Sequence, residues 1–406
     1  MVTTATAYTD PRYRAYPGEG FDGVVRVLAG NYYGSGVLLY DGRAVLTAAH
    51  LLYKPPTGAV GSATVRFETA QGNFDFTSRE ISVLASYDPL NINDDLALVW
   101  LSAPAPVAAN RYELYRAHDE LGQVMTLVGY GVPGTGAQGE DEGYTGAPLR
   151  LMARNRADTD VGIVENTLGD LMAWNPKDST QLVADFDNGT AAQDALGRLL
   201  GLSDLGQGLD EGMVSSGDSG GPAFIQGKVA GIASYRASLE RGATQPDVDA
   251  FTNSSFGELG FWQRVSSYQQ WIDQSLRARY PNAPTRPEEV QKQVVEGNGG
   301  TTYAYFLLQF TGVRSNPDAW VSVDYATRDG TAAAGSDYIA VRGTLVLYPD
   351  ENRAVIPVEI VGDTRPEPDE TFYLDVFNPV GGSFGEGVIK LTAVRTIVDD
   401  DGSLLA

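Results

Sequence analysis

Apolar stretches in the first 280 residues are short and fenced by glycine: GVVRVLAG (23–30), GSGVLLY (34–40), DLALVWL (95–101) and VMTLVGYG (124–131). Runs this brief, rich in Val, Leu and Tyr, suit many short β-strands better than buried helices. One segment changes period. In FWQRVSSYQQWIDQSLRARY (261–280), Val265, Tyr268, Ile272 and Leu276 recur three or four apart, which predicts a single amphipathic helix. PNAPTRPEE (281–289) follows, and its prolines predict an extended linker. Beyond it the period is two: Val321, Val323 and Tyr325 share one strand face, as do Phe372, Leu374 and Val376. Further strands are expected at 302–310, 344–348, 354–360 and 387–397. The fold class is therefore all-β in two domains, 1–280 and 290–406, joined by 281–289, the second being an antiparallel β-sandwich.

Composition removes several function classes. There is no cysteine, which excludes disulfides, thiolate metal sites and cysteine nucleophiles. A net charge of −23 disfavours nucleic acid and anionic membranes as partners. No run of eighteen apolar residues occurs, so no membrane span is expected. MVTTATAYTD (1–10) has neither the basic end nor the apolar core of a secretory signal. Carboxylates in such excess coat a solvated surface or, where they cluster, bind calcium.

The chemistry concentrates in SSGDSGGPAF (215–224), where Ser219 stands among Gly217, Gly220 and Gly221 with Asp218 beside it. A serine hydroxyl needs a neighbouring base to take its proton as it attacks. The chain has two histidines: His50 in AVLTAAHLL, directly after a buried-strand pattern, and His118 in the polar YRAHDELG. His50 is the expected base and His118 a solvated residue. The base needs an orienting acid, and Asp95 in NDDLALVWL directly precedes an apolar strand; Asp94 is the alternative.

TAAH, DLALVWL and GDSGGP, in the order His, Asp, Ser, resemble the chymotrypsin/trypsin family. VGYG (128–131), GIASYR (231–236) and the 261–280 helix are similar to further parts of it, over roughly residues 23–280. The resemblance implies a pair of six-stranded β-barrels with the active site between them, and a protein or peptide substrate. It also implies backbone N–H groups of Gly217 and Ser219 as the oxyanion donors. The pocket for the residue before the cut would involve Met213, Val214, Ser234, Arg236 and Gly260. An apolar floor at Met213 implies preference for an apolar or aromatic side chain, while Arg236 would narrow the entrance or recruit an acidic substrate. The family's Ile-Val-Gly-Gly terminus, which pairs with the acid before the serine, has no counterpart ahead of GVVRV, and Leu51 replaces a family cysteine. These departures resemble bacterial exported members, with a secreted, periplasmic or cell-surface location, and motivate a rival reading as an inert pseudoprotease or adhesion protein. LVADFDNGTAAQDALG (182–197) is an extra segment, expected as a solvated loop because its glycine falls one position early for an EF-hand and the closing Glu is absent.

VSVDYATRDGTAAAGSDY (321–338), GDTRPEPDETFYLDVFNP (362–379) and TIVDDDG (396–402) resemble the Calx-β family, an immunoglobulin-like sandwich. The resemblance implies calcium held by acids at one end of it: Glu296, Asp337, Asp363, Glu367, Asp399, Asp400 and Asp401. Gly362 stands where a calcium-rich relative has another acid.

Overall fold

The glycine-fenced stretches are strands in the computed structural model, which describes residues 2–402. Six of them close into a barrel in the order Val24–Ala29, Tyr32–Leu38, Ala44–Thr47, Ala97–Leu101, Gly72–Val83, Thr64–Thr69. Inside it Val25, Val27, Leu38, Val45, Val65, Phe67 and Val99 form one apolar cluster. Burial of each such side chain contributes about 1.5–3 kcal/mol before chain entropy is subtracted. A second sheet has seven strands: Leu151–Arg156, Val124–Gly129, Pro222–Ile225, Lys228–Ala237, Leu259–Arg264, Gln181–Asp185 and Thr159–Asp160. Met125, Leu127, Leu182, Phe186 and Trp262 fill its core. A smaller sheet runs Gly139–Glu140, Gly134–Thr135, Val2–Thr4, Gly212–Val214. The first half is therefore all-β with a trypsin-like pair of barrel-like sheets.

Two sequence expectations change here. The helix covers Val265–Arg277, whereas Phe261–Arg264 belongs to the strand Leu259–Arg264, which pairs on both sides and is buried throughout. A buried run with no polar face gives strand and helix the same signal, so periodicity could not separate them. The segment 182–197 is a solvated loop only over 188–192. It completes the strand Gln181–Asp185 and the helix Ala195–Leu200, and it buries Asp185, Asp187 and Asp194.

With no cysteine in the chain, buried ion pairs brace this unit. Arg150 and Asp22, both 2% exposed, meet at 2.7 Å. The same guanidinium donates to the carbonyls of Ala15 and Glu68, each at 3.1 Å, while Asp22 accepts from the backbone of Gly18 and Ala70. Arg264 donates to Glu120 through Nε at 2.9 Å and to the His118 carbonyl, and Ser266 donates to the other Glu120 oxygen at 2.5 Å. Removing one partner of such a pair costs about 3–5 kcal/mol because the other charge is left buried.

The chain divides into two compact units, residues 2–39 with 43–269, and 40–42 with 270–402. Between the helix and the last domain, Pro287–Glu289 forms a 3₁₀ turn whose preceding Thr285 donates to Glu289, so the proline-rich stretch is partly ordered. The following strands form a sandwich. One sheet runs Gln293–Val295, Lys390–Val398, Glu370–Val380, Val321–Asp329, Arg342–Leu347, and the other pairs Thr301–Gln309 with Arg353–Val361. Val321, Val323, Tyr325, Phe372, Leu374 and Val376 all face its core. Among the described residues no helix is long and apolar enough to cross a membrane.

Candidate active site

The strands Ala44–Thr47 and Ala97–Leu101 pair antiparallel with Thr47 opposite Ala97. His50 follows the end of the first and Asp95 precedes the start of the second, so the pairing brings them together. The His50 backbone N–H donates to Asp95 Oδ1 at 2.8 Å, and His50 Nδ1 lies 2.8 Å from Oδ2. Ser234 Oγ donates to the same Oδ2 at 2.5 Å. Ser234 reaches it because the strand Lys228–Ala237 bulges between Ala233 and Tyr235, which re-aims one side chain. Asp95 has no solvent exposure. Burial alone would lower the His50 pKa, but the charge of Asp95 and its hydrogen bond outweigh it and hold the imidazole above its ordinary value.

The rejected alternatives have other partners. Asp94 turns away from His50, accepting from Lys177 at 3.2 Å and from the Tyr268 hydroxyl at 2.8 Å. His118 is exposed, and its Nδ1 lies 3.1 Å from Ser266 Oγ.

Ser219 sits on a loop whose shape glycine dictates. The Ser219 carbonyl accepts from Ser35 N at 2.8 Å, and Gly220 N donates to the Ala233 carbonyl at 2.8 Å. Gly220 has φ +80°, and a Cβ there would lie 2.0 Å from Thr47 Oγ1 and 2.8 Å from Ala48 N, so the loop rests directly on TAAH. Gly217, at φ +94°, abuts Tyr33 and Gly131. Among the described residues, the Gly217 and Ser219 amides donate to no other group. Ser219 and Ser234 line one cavity, and the Ser234 hydroxyl ends on Asp95. The Ser219 loop thus packs on Thr47 and Ala48, just before His50, and Ser219 shares a cavity with Ser234, which bonds Asp95.

Asp218 is fully buried beneath this loop. Ser215 donates to it from N at 2.8 Å and from Oγ at 3.0 Å, and Gly131 N donates at 2.9 Å. Burial pushes its carboxyl up, and the hydrogen bonds from Ser215 oppose that. The strand Val2–Thr4 lies against Gly212–Val214, with Val2 opposite Val214, directly before the loop. The sequence reading found nothing ahead of GVVRV, because three residues carry too little pattern to register.

The cavity measures about 320 Å³, and Val214, Ser234 and Arg236 line it together with Ser215, Ala233 and Thr252. Met213 and Gly260 do not. Met213 is wholly buried in the core, and its sulfur stands 2.4 Å from where a Gly260 Cβ would be, with the Trp262 ring beside it. The expected floor residue is therefore part of the core and does not line the cavity. Arg236 is engaged within the protein: it donates to Glu140 at 2.5 Å and to the Thr252 carbonyl at 3.2 Å, and Glu258 lies 3.9 Å away. Glu140 also accepts from Ser216 N at 2.6 Å. Glu140 and Thr252 escaped the sequence reading because no local pattern ties them to Arg236: Glu140 lies on a two-residue strand 96 positions away and Thr252 on an irregular stretch 16 away.

At the end of the sandwich five of the seven candidate acids fall into two groups, with one addition, while Asp363 and Asp399 belong to neither. Glu296, Asp400 and Asp401 place carboxylate oxygens within 4.8 Å of one another, and so do Asp337, Glu367 and Glu370. Glu370 was missed because it opens a strand and reads as part of it. Burial and then Asp363, Asp399, Asp401 and Glu367 push the Glu296 carboxyl up to about 7, and burial with Asp337 does the same to Glu370. Glu296 Oε1 and Asp401 Oδ2 are buried without a hydrogen bond. Oxygens so crowded fit a hard cation. Gly362 packs on the Gly297 carbonyl, where a Cβ would lie at 2.3 Å, so this backbone leaves no room for an acid there.

Comparison with known proteins supplies the families. Residues 13–170 match the trypsin family model and residues 292–401 the Calx-beta domain model. The chain is 36% identical over 91 residues to the sodium/calcium exchanger Calx of Drosophila melanogaster, covering 22% of this chain and 9% of the exchanger. It is 40% identical over 108 residues to human sodium/calcium exchanger 2, covering 23% and 12%, and 47% identical over 112 residues to exchanger 1 of Bos taurus, covering 27% and 11%. The chain thus spans about a tenth of the length of these exchangers. Among solved structures, mouse brain neuropsin, a serine protease, overlays with a TM-score of 0.46 at 17% identity, covering 65% of this chain and 98% of neuropsin. The chain carries a trypsin-family domain followed by a Calx-beta domain.

Proposed function

We propose that this protein is a serine endopeptidase. The observation that carries the reading is the Asp95 carboxylate, held without solvent by His50 at both its backbone and its ring while the Ser219 loop rests on TAAH. His50 takes the Ser219 proton as Oγ attacks the scissile carbonyl, and Asp95 fixes the tautomer and stabilises the imidazolium. The Gly217 and Ser219 amides receive the oxyanion; one such donor is typically worth about 100–1,000-fold in turnover. His50 then returns the proton to the leaving amine, and water repeats the sequence to free the acid.

The cavity favours an uncharged side chain before the cut. No carboxylate lines it to meet a cationic side chain, and Val214 and Ala233 offer apolar surface, which favours an apolar residue. Arg236 is already paired with Glu140, so an acidic substrate gains no free cation. In the second domain, Glu296, Asp400 and Asp401, with Asp337, Glu367 and Glu370, are the residues that would hold calcium. Bound there, the ion would neutralise mutual carboxylate repulsion and tie the strand ends together.

A fluorophosphonate probe tests the catalytic reading. Labelling of the full chain that disappears in Ser219→Ala, together with cleavage of a peptide library after apolar residues, is the expected result. An unlabelled wild-type protein, with or without calcium, would make it the inert binding protein instead.

A further inference from the structure

The extra segment 182–197 supplies a second acid cluster, in the trypsin-family unit and on no element that touches the triad. Asp185 ends the strand Gln181–Asp185, Asp187 follows with the same strand parity, and Asp194 caps the helix Ala195–Leu200. One oxygen from each lies within 4.8 Å of the others. Two ligands facing each other across a calcium ion, each at about 2.4 Å, stand about 4.8 Å apart, so one ion spans the set. All three are at least 97% buried.

Crowded acids alone would prove nothing, but two oxygens here lack any partner. Asp187 Oδ1 and Glu211 Oε1 are buried with no hydrogen bond, in side chains 3% and 0% exposed. The two side chains meet at Gly206, where a Cβ would lie 2.7 Å from Asp187 Cβ and 2.9 Å from Glu211 Oε2, the oxygen other than the unpartnered one. The remaining oxygens are oriented from outside. Asp185 accepts from Leu196 N at 2.8 Å, and Asp194 accepts from Gly197 N at 2.6 Å and from Ser203 Oγ at 2.5 Å. An orphaned carboxylate oxygen in a dry site costs several kcal/mol unless a proton or a cation meets it.

We propose that Asp185, Asp187 and Asp194, with Glu211 beside them, bind one calcium ion within the trypsin-family unit, separately from the Calx-beta domain. All donors are oxygens, which selects a hard cation over zinc or copper, and the irregular arrangement of loop, strand end and helix start suits calcium better than the strict octahedron of magnesium. The ion pins the inserted segment 186–210 to the sheet that carries Gly212–Val214 and the Ser219 loop.

The test counts bound ions by equilibrium dialysis of the full chain against calcium alone. Asp337→Asn, Asp400→Asn and Asp401→Asn together disable the Calx-beta end. That triple variant is expected to retain one calcium, and adding Asp187→Asn is expected to weaken its binding at least tenfold. A triple variant that binds none at about 1 mM, or binding unaffected by Asp187→Asn, overturns the proposal. Because Asp187→Asn replaces a buried group and can disturb folding, a second measurement uses the triple variant alone. Calcium is expected to slow amide hydrogen exchange in 186–210 at least tenfold and magnesium to do much less; no protection there overturns it equally. Neither readout depends on peptidase activity.

Discussion

Replacing Asp95 with asparagine is the most searching test of the site, because the structure leaves the amide no harmless orientation. The carboxylate accepts three hydrogen bonds: Oδ1 from His50 N, and Oδ2 from both His50 Nδ1 and Ser234 Oγ. With its NH₂ in the Oδ2 place, the amide faces Nδ1 as a donor, so the imidazole moves its proton to Nε2 and can no longer accept from Ser219. Flipped, the NH₂ confronts the His50 backbone N–H, and the neutral amide no longer stabilises the imidazolium. Either way turnover is expected to fall by about 10⁴ at neutral pH. At 1.36 kcal/mol per tenfold, that is about 5.4 kcal/mol of transition-state stabilisation. Steady-state kinetics on the peptide found in the library, with circular dichroism to show that the variant folds, would measure it. A folded Asp95→Asn protein retaining more than about a tenth of wild-type kcat/KM would refute the assigned role. Ser234→Ala provides the contrast: it removes one charge-assisted bond worth about 1.5–3 kcal/mol but leaves both contacts with His50, so a loss closer to tenfold is expected.

Other outcomes follow from the same geometry. His50 must be neutral to act as a base, so kcat/KM is expected to rise with pH through a midpoint above the ordinary histidine value of about 6.5. Because the folded pKa is the higher one, the His50–Asp95 pair stabilises the fold fully below about 6.5 and loses that contribution as pH rises through the folded value. A midpoint in Asp95→Asn at or above the wild-type one would contradict this account. Met213→Ala is expected to destabilise the trypsin-family unit by about 2–5 kcal/mol by emptying core space beside Trp262, read as a lowered denaturation midpoint; an unchanged midpoint would show that Met213 carries no such packing. Glu296→Gln with Asp401→Asn is expected to weaken calcium binding by the Calx-beta domain at least tenfold while Ser219 labelling persists, measured by dialysis and probe side by side.

What the sequence disclosed followed how local each signal is. TAAH, DLALVWL and GDSGGP each fit within a few residues, so His50, Asp95 and Ser219 were legible from their own surroundings. Alternation marked Val321 through Tyr325 and Phe372 through Val376 as inward-facing, since burial on one side of a strand writes itself into period two. Contacts across the chain were not legible. That Met213 packs in the core rather than flooring the pocket depends on Gly260 and Trp262 nearly fifty residues later, and that Arg236 is spent on Glu140 depends on a two-residue strand almost a hundred residues earlier. The burial of Asp185, Asp187 and Asp194 was misread for a similar reason. A local test against the EF-hand spacing judged the segment by its own residues, whereas its environment is made by Glu211, Gly206 and the strand at 181–185.

The Arg150 brace has a consequence for how this protein is made. A guanidinium that gathers residues 15, 22 and 68 as the chain closes needs no oxidant, no isomerase and no search among wrong pairings. With no sulfur crosslink anywhere in the sequence, refolding of the trypsin-family unit from denaturant proceeds as well under dithiothreitol as in air. Its yield is expected to be indifferent to the thiol poise of the surroundings.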